Sequence, residues 1–258
     1  MTLELIKESI PIFDSHFHII DNQFPLIENN GYLPEPFTDK DYLSQTDNYN
    51  LVGGAVVSGS FQGFDQDYLV NALKNLGDGF VGVTQVPISI TDEAIIHLDS
   101  KGVRAVRFNL QRGGSEDIAH LSNMAARVHE LVGWHIELYV DSRHLVDMTS
   151  VLIGLPSVSI DHLGLSKRGF NTLCHLVENN IKVKATGFSR VDFDVSEAIK
   201  KLHSINPNAL MFGTDLPSTR APVPYSELDL IKVVQTIGEQ AAKDVLSDNA
   251  RKFYRLDQ

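Results

Sequence analysis

The chain has 258 residues, 43% of them hydrophobic and 21% charged, and its 33 Asp and Glu against 22 Lys and Arg give a formal charge of -11. That much apolar material excludes disorder as the main state, and the acidic balance repels phosphate backbones and anionic lipid, so neither a nucleic acid nor a membrane is expected as a partner. No apolar run approaches the ~18 residues of a membrane span, Met1-Thr2-Leu3-Glu4 carries acid where an export signal carries base, and the one cysteine, Cys174, has no disulfide partner, so a cytoplasmic protein with a buried structural thiol is expected.

Eight short runs rich in apolar and β-branched residues predict strands, at residues 12–19, 51–58, 80–86, 103–109, 135–140, 158–162, 181–186 and 209–215. Helical periodicity between them predicts helices over 68–76, 92–98, 118–132, 144–153, 196–202, 228–237 and 240–254. The strongest is 118–132, where Ile118, Leu121, Ala125, Val128 and Val132 form one apolar face and Gly133 stops it. A βα unit takes roughly 25 to 30 residues, and the runs repeat on about that spacing. Eight successive units predict an α/β protein, a (β/α)8 TIM barrel spanning 1–258 as a single domain. An open doubly wound sheet with a break near Gly113-Gly114 is the competing arrangement, but two glycines before an acidic helix start resemble a βα loop more than a linker. Residues 21–50, with Pro25, Gly31, Pro34 and Pro36, lack periodicity. A loop of that length is usually functional or hides a short helix, and it is expected to cover the C-terminal end of the first strand.

Polar residues collect where the strands end, the place at which loops build a barrel's site. The first run closes with Asp14-Ser15-His16-Phe17-His18, and strict alternation would put Asp14, His16 and His18 on one face with Phe13 and Phe17 on the other. The sixth ends in Asp161-His162-Leu163-Gly164 and the eighth in Gly213-Thr214-Asp215-Leu216-Pro217. A lone strand-end His or Asp is weak as a signal, whereas three such ends together point to a site. Arg107 and Asn109 share parity on the fourth run and should project inward. An unpaired buried guanidinium is costly, so some anion must meet Arg107. Arg190 and Arg220 follow the seventh and eighth runs and are candidate anion-binding forks, as is Arg112 after the fourth, with surface solvation equally weighted for these three. Tyr139 ends the fifth run with Glu137 behind it, and His135, one pleat deeper, reads as a core histidine.

These residues resemble the amidohydrolase superfamily: Asp14-x-His16-x-His18, Ile160-Asp161-His162-Leu163-Gly164, Phe212-Gly213-Thr214-Asp215-Leu216-Pro217 and the terminal Leu246-Ser247-Asp248-Asn249-Ala250-Arg251-Lys252-Phe253-Tyr254. Val106-Arg107-Phe108-Asn109 and Thr214 through Arg220 are similar to the lactonase-like branch that includes 2-pyrone-4,6-dicarboxylate lactonase. The resemblance implies a barrel hydrolase with its site at the strand C-termini. Binuclear members carry a bridging lysine or glutamate ending the fourth strand and a histidine ending the fifth. Here those ends read Arg107 with Asn109 and Glu137 with Tyr139, so two metal ions are not expected.

The combined expectation is a hydrolase of a small carboxylated lactone, probed by a small anionic substrate, with Asp215 activating water. His16, His18 and His162 act as its catalytic companions, and Arg107, Asn109, Tyr139, Arg190 and Arg220 bind substrate. The cofactor is none, or one divalent ion such as zinc on His16, His18, His162 and Asp215. The alternatives are a mononuclear-metal amidohydrolase or decarboxylase of a small acid, and a non-catalytic anion-binding barrel, which would not need Asp215.

Overall fold

The computed structural model describes residues 2–256. Eight parallel strands, β1 (Ile12–Phe17), β2 (Leu51–Val57), β3 (Phe80–Thr84), β4 (Val103–Asn109), β5 (His135–Tyr139), β6 (Val158–Ile160), β7 (Lys182–Ala185) and β8 (Leu210–Phe212), pair in sequence order into one sheet. This is the (β/α)8 barrel expected from the spacing of the runs. The order β1 to β8 runs straight past Gly113-Gly114, which excludes the doubly wound alternative. Beyond the paired strands, Asp215 N–H donates to the His16 carbonyl and His18 N–H to the Leu216 carbonyl, each at 2.7 Å, and these bonds join the first strand to the end of the eighth.

Helices alternate with the strands: α1 (Leu3–Ser9) precedes β1, α2 (Asp39–Gln45) precedes β2, and α3 (Asp67–Leu76), α4 (Asp92–Ser100), α5 (Leu121–Val132), α6 (Leu145–Gly154), α7 (Phe170–Glu178), α8 (Val195–Ile205) and α9 (Leu228–Ile237) follow β2 to β8. Their starts are chemically marked. Thr91 accepts from Ala94 N–H ahead of α4, and Asp194 from Glu197 N–H ahead of α8, each satisfying a donor that the first turn leaves unpaired. Gly133 ends α5 in the left-handed conformation expected of it. The 240–254 pattern is a continuous helical run from 239 to 253 with a π turn inside it. It divides into α10 (Glu239–Lys243), a π turn over Asp244–Asp248 and α11 (Asn249–Phe253).

The core has two layers. Between sheet and helices lies a continuous cluster containing Trp134, Phe108, Leu138, Ile160 and Leu202. Inside the barrel, Phe13, Val57, Val81, Val83 and Met211 pack with Tyr254, which is fully buried with its ring tilted against Phe13 at 5.7 Å. The lumen is thus filled at one end mostly by apolar side chains, with the buried Glu137 and His135 against Tyr254. Cys174 is buried on α7, as expected of a structural thiol. No helix among the described residues is long and apolar enough to cross a membrane.

Candidate active site

Every strand but β4 ends earlier than its sequence run, and at three of them the shortening moves site residues off the strand. β1 stops at Phe17, β6 at Ile160 and β8 at Phe212, so His18, His162 and Asp215 occupy loops that turn sharply off the barrel. His162 and Asp215 have φ of 50° and 62°. A side-chain-bearing residue pays for that conformation, and such strain persists where surrounding structure fixes the geometry. Gly213 allows the first and eighth strands to approach, because a Cβ there would lie 2.7 Å from the His16 backbone nitrogen.

Alternation along β1 fails, since its pairing with β2 slips between Asp14 and Phe17. Phe13 enters the barrel with Tyr254, whereas Phe17 stacks on Tyr42 of α2 at 3.7 Å. Asp14 lies on Phe17's side and accepts from the Tyr42 hydroxyl. It also takes the Thr214 N–H at 2.8 Å and the Thr214 hydroxyl at 2.6 Å. Asp14 therefore clamps the eighth strand's exit loop, and the extra residue in β1 separates it from the histidines it was expected to accompany.

His16, His18, His162 and Asp215 do come together. His16 Nε2 and His18 Nε2 each lie 3.9 Å from Asp215 Oδ1, and the His16 and His162 rings are 4.8 Å apart. His16 Nε2 and Asp215 Oδ1 are buried without hydrogen-bond partners among the described residues. Burial drives all three imidazoles toward neutrality, His18 to a pKa of about 3 and His16 and His162 well below the ordinary histidine value. His18 Nδ1 contacts the Val57 carbonyl at 2.7 Å. A carbonyl only accepts, so Nδ1 carries the proton and Nε2 turns its lone pair toward Asp215. Asp215 is raised by burial to about 6, against the pull of Arg190, whose Nε and Nη2 meet its Oδ2 at 2.8 and 2.7 Å.

His18, His162 and Asp215 open onto one cavity, which Arg107, Asn109, Tyr139, Arg190 and Arg220 also line. His16 is fully buried beside it. The anion that meets Arg107 is internal: Nε and Nη2 donate to Asp161 Oδ2 at 3.0 and 2.8 Å, and Nη1 to the Ser58 carbonyl. Burial alone would raise the Asp161 carboxyl, but the charges of Arg107 and then Lys184 hold it below the usual carboxylate range. Arg220 donates to both the side chain and the carbonyl of Asn29 and lies over the Tyr32 ring at 4.2 Å. Asn29 and Tyr32 belong to the 21–50 loop, and Tyr32 lines the cavity, so this loop does reach over the site. Arg112, weighted evenly as a surface residue, is exposed and also borders the cavity. Among the described residues neither Arg112 nor Arg220 has a carboxylate within ion-pair distance.

Sequence reasoning missed a buried lysine. Lys184 on β7 has no exposure and meets Glu137 Oε2 at 2.5 Å, His16 Nδ1 at 3.4 Å and Asp161 Oδ1 at 3.9 Å. Glu137 also accepts from the Tyr254 hydroxyl at 2.5 Å and contacts His135 Nε2 at 3.1 Å, so His135 is a core histidine, as its position one pleat deeper implies. A lysine on a strand covered on both faces was the available signal, and the argument that singled out Arg107 applies to it equally.

Two sets of ligand atoms lie close enough for an ion, His16 with His18 and Asp215, and His16 with Asp161 and His162. The unpartnered Asp215 Oδ1 and the His18 lone pair fit the first set to one divalent ion. The second set shares His16, and Asp161 already gives its other oxygen to Arg107.

Among known proteins, the chain is 30% identical over 156 residues to the 2-pyrone-4,6-dicarboxylate hydrolase of Comamonas testosteroni, an alignment covering 58% of this chain and about half, 51%, of that one. It is 24% identical over 270 residues to the 4-sulfomuconolactone hydrolase of Rhizobium radiobacter, with 94% and 89% of the two chains covered. A solved structure from Acinetobacter baumannii, described as a probable 2-pyrone-4,6-dicarboxylic acid hydrolase, superposes with a TM-score of 0.81 at 23% identity over 95% of this chain and 99% of that one, which shows a common barrel. The amidohydrolase family model matches residues 13–256, from the first strand to beyond the helix that closes the barrel. The chain therefore belongs to the amidohydrolase family.

Proposed function

We propose that the protein hydrolyses a small carboxylated lactone, with Asp215 as the base that activates water. The observation that carries this reading is Oδ1 of Asp215, buried without a hydrogen-bond partner among the described residues, 3.9 Å from two imidazole nitrogens, on a residue that lines a cavity together with Arg112 and Arg220. A carboxylate oxygen kept without a hydrogen bond in a buried site has a proton or an electrophile to receive. The names of the lactone hydrolases that the chain resembles support the same substrate class.

The chemistry follows from the donors and acceptors. Water placed between Asp215 Oδ1 and His18 Nε2 meets two acceptors, so both of its hydrogens are bound and an oxygen lone pair turns to the lactone carbonyl. Asp215 takes one proton as the C–O bond to water forms. When the tetrahedral intermediate collapses, the ring C–O bond breaks and the departing oxygen takes that proton from Asp215. Arg190 holds Oδ2 and leaves Oδ1 to the water. Arg107 and Arg190 are already neutralised by Asp161 and Asp215, which leaves Arg112 and Arg220 to hold the substrate carboxylate. Tyr139, edge-on to His162 at 4.9 Å, walls the ring. One divalent ion on His16, His18 and Asp215 would supply Lewis acidity toward the carbonyl, and with it the mononuclear amidohydrolase or decarboxylase reading would gain.

The test compares kcat/KM for a lactone acid and for its methyl ester. Charge-assisted bonds to Arg112 and Arg220, which have no carboxylate partner among the described residues, are expected to favour the acid by at least about tenfold. Equal values would assign the arginines to structure and the substrate to a neutral class.

A further inference from the structure

His16 Nδ1 lies between two groups of opposite character. Lys184 Nζ, at 3.4 Å, is an ammonium that can only donate. Asp161 Oδ1, at 3.6 Å, is a carboxylate oxygen that can only accept and has no hydrogen-bond partner among the described residues. Whichever prevails decides which ring nitrogen carries the proton. If Lys184 donates, Nδ1 is the acceptor and Nε2–H points into the site. If Asp161 accepts, Nδ1 carries the hydrogen and Nε2 presents a lone pair to Asp215.

We infer that Lys184 is a positioning residue that holds His16 in the Nε2–H form, so that this histidine donates to the substrate carbonyl while His18 receives the water. The packing fixes the ammonium for that task. Glu137 Oε2 holds it at 2.5 Å from the side opposite the site, and the Tyr254 ring lies 5.8 Å from Nζ. Glu137 is itself immobilised, because its other oxygen accepts from Tyr254 and contacts His135. With Glu137 taking one N–H and Asp161 Oδ1 too distant at 3.9 Å for a full hydrogen bond, His16 Nδ1 is the remaining acceptor within reach. The neighbouring histidine has the opposite arrangement, Nδ1 against the Val57 carbonyl, and so the opposite tautomer. Two imidazoles on one strand end thereby divide the work, one donating and one accepting, and the division is set by what stands behind each ring. In the reverse tautomer of His16 the lone pair would face the Asp215 carboxylate, and the carbonyl oxygen would lose a donor.

The tautomer is read directly from ring nitrogen shifts of protein labelled with 15N-histidine, the His16 signals being assigned by their loss in His16→Gln. The wild type is expected as Nε2–H and Lys184→Met as Nδ1–H. Because Lys184→Met leaves Glu137 buried without its cation, Lys184→Met with Glu137→Gln provides a second variant with both charges removed, expected to show the same switch. Wild-type His16 in the Nδ1–H form, or variants that keep Nε2–H, would overturn the inference. The kinetic arm rests on the lactonase reading: kcat on the lactone is expected to fall roughly 10²-fold, the scale of one lost oxyanion donor, with KM nearly unchanged. A variant that switches tautomer without losing kcat would remove His16 from that role. If the wild type turns over no lactone, the functional reading fails while the nitrogen shifts still decide the role of Lys184.

Discussion

Asp215→Asn is expected to lower kcat on a carboxylated lactone by roughly 10²–10⁴-fold, the usual worth of a general base. The amide keeps the shape and can still accept from Arg190, so substrate affinity and the cooperative melt should stay near those of the parent. What it loses is the Oδ1 lone pair basic enough to take a proton from water. The pH profile makes the assignment sharper. Burial, opposed by Arg190, sets the Asp215 carboxyl at about 6. The base works only when ionised, so kcat/KM of the parent should fall as pH drops through that value, and the residual activity of the variant should lack the inflection. A variant within a few-fold of the parent would take Asp215 out of the mechanism.

The second large effect is on stability. Arg107→Met is expected to cost about 3–5 kcal/mol, because it strips the main partner from an Asp161 carboxylate that has no exposure to water. Arg107→Met combined with Asp161→Leu should recover most of that loss, since an apolar pair of similar volume carries no desolvation penalty. Urea unfolding of the two variants provides the comparison. A single variant within about 1 kcal/mol of the parent would show that the pair is solvated or exchanges partners. The same reasoning separates the arginines by duty: Arg112→Ala should leave the melt unchanged and raise KM, because Arg112 faces the cavity and pairs with no carboxylate among the described residues.

Legibility in the sequence followed locality. The strand at residues 103–109 was readable to the residue, and α5 to its last turn, because apolar period and a stopping glycine coincide there. α7 is absent from the sequence reading although Phe170, Leu173, Cys174 and Val177 fall at i, i+3, i+4 and i+7, a helical face that was there to be read. The short α1 and α2 draw on caps at Thr2 and Thr38 more than on periodicity. At the site, the residue types were readable and their partners were not. His16, His18, His162 and Asp215, which the structure brings together, stood out because imidazoles and a carboxylate at strand ends are expensive and therefore conspicuous. That Arg107 belongs to Asp161, 54 residues on, depends on the register of three strands, which no local pattern encodes. Lys184 was overlooked because Lys182-Val183-Lys184 reads as an alternating solvent-facing strand, although Lys184 points into the lumen toward Glu137 and His16.

The central claim is that hydrogen bonds and one carboxylate suffice for a lactone, whose oxygen leaves far more readily than the amine of an amide. The most direct test is to strip the protein with chelator, verify its residual metal content, and measure hydrolysis of carboxylated lactones. Full activity in the stripped protein is the expected result. Loss of activity restored by one equivalent of zinc would contradict it and assign His16, His18 and Asp215 to an ion, and restoration only by two equivalents would also overturn the reading of the fourth and fifth strand ends.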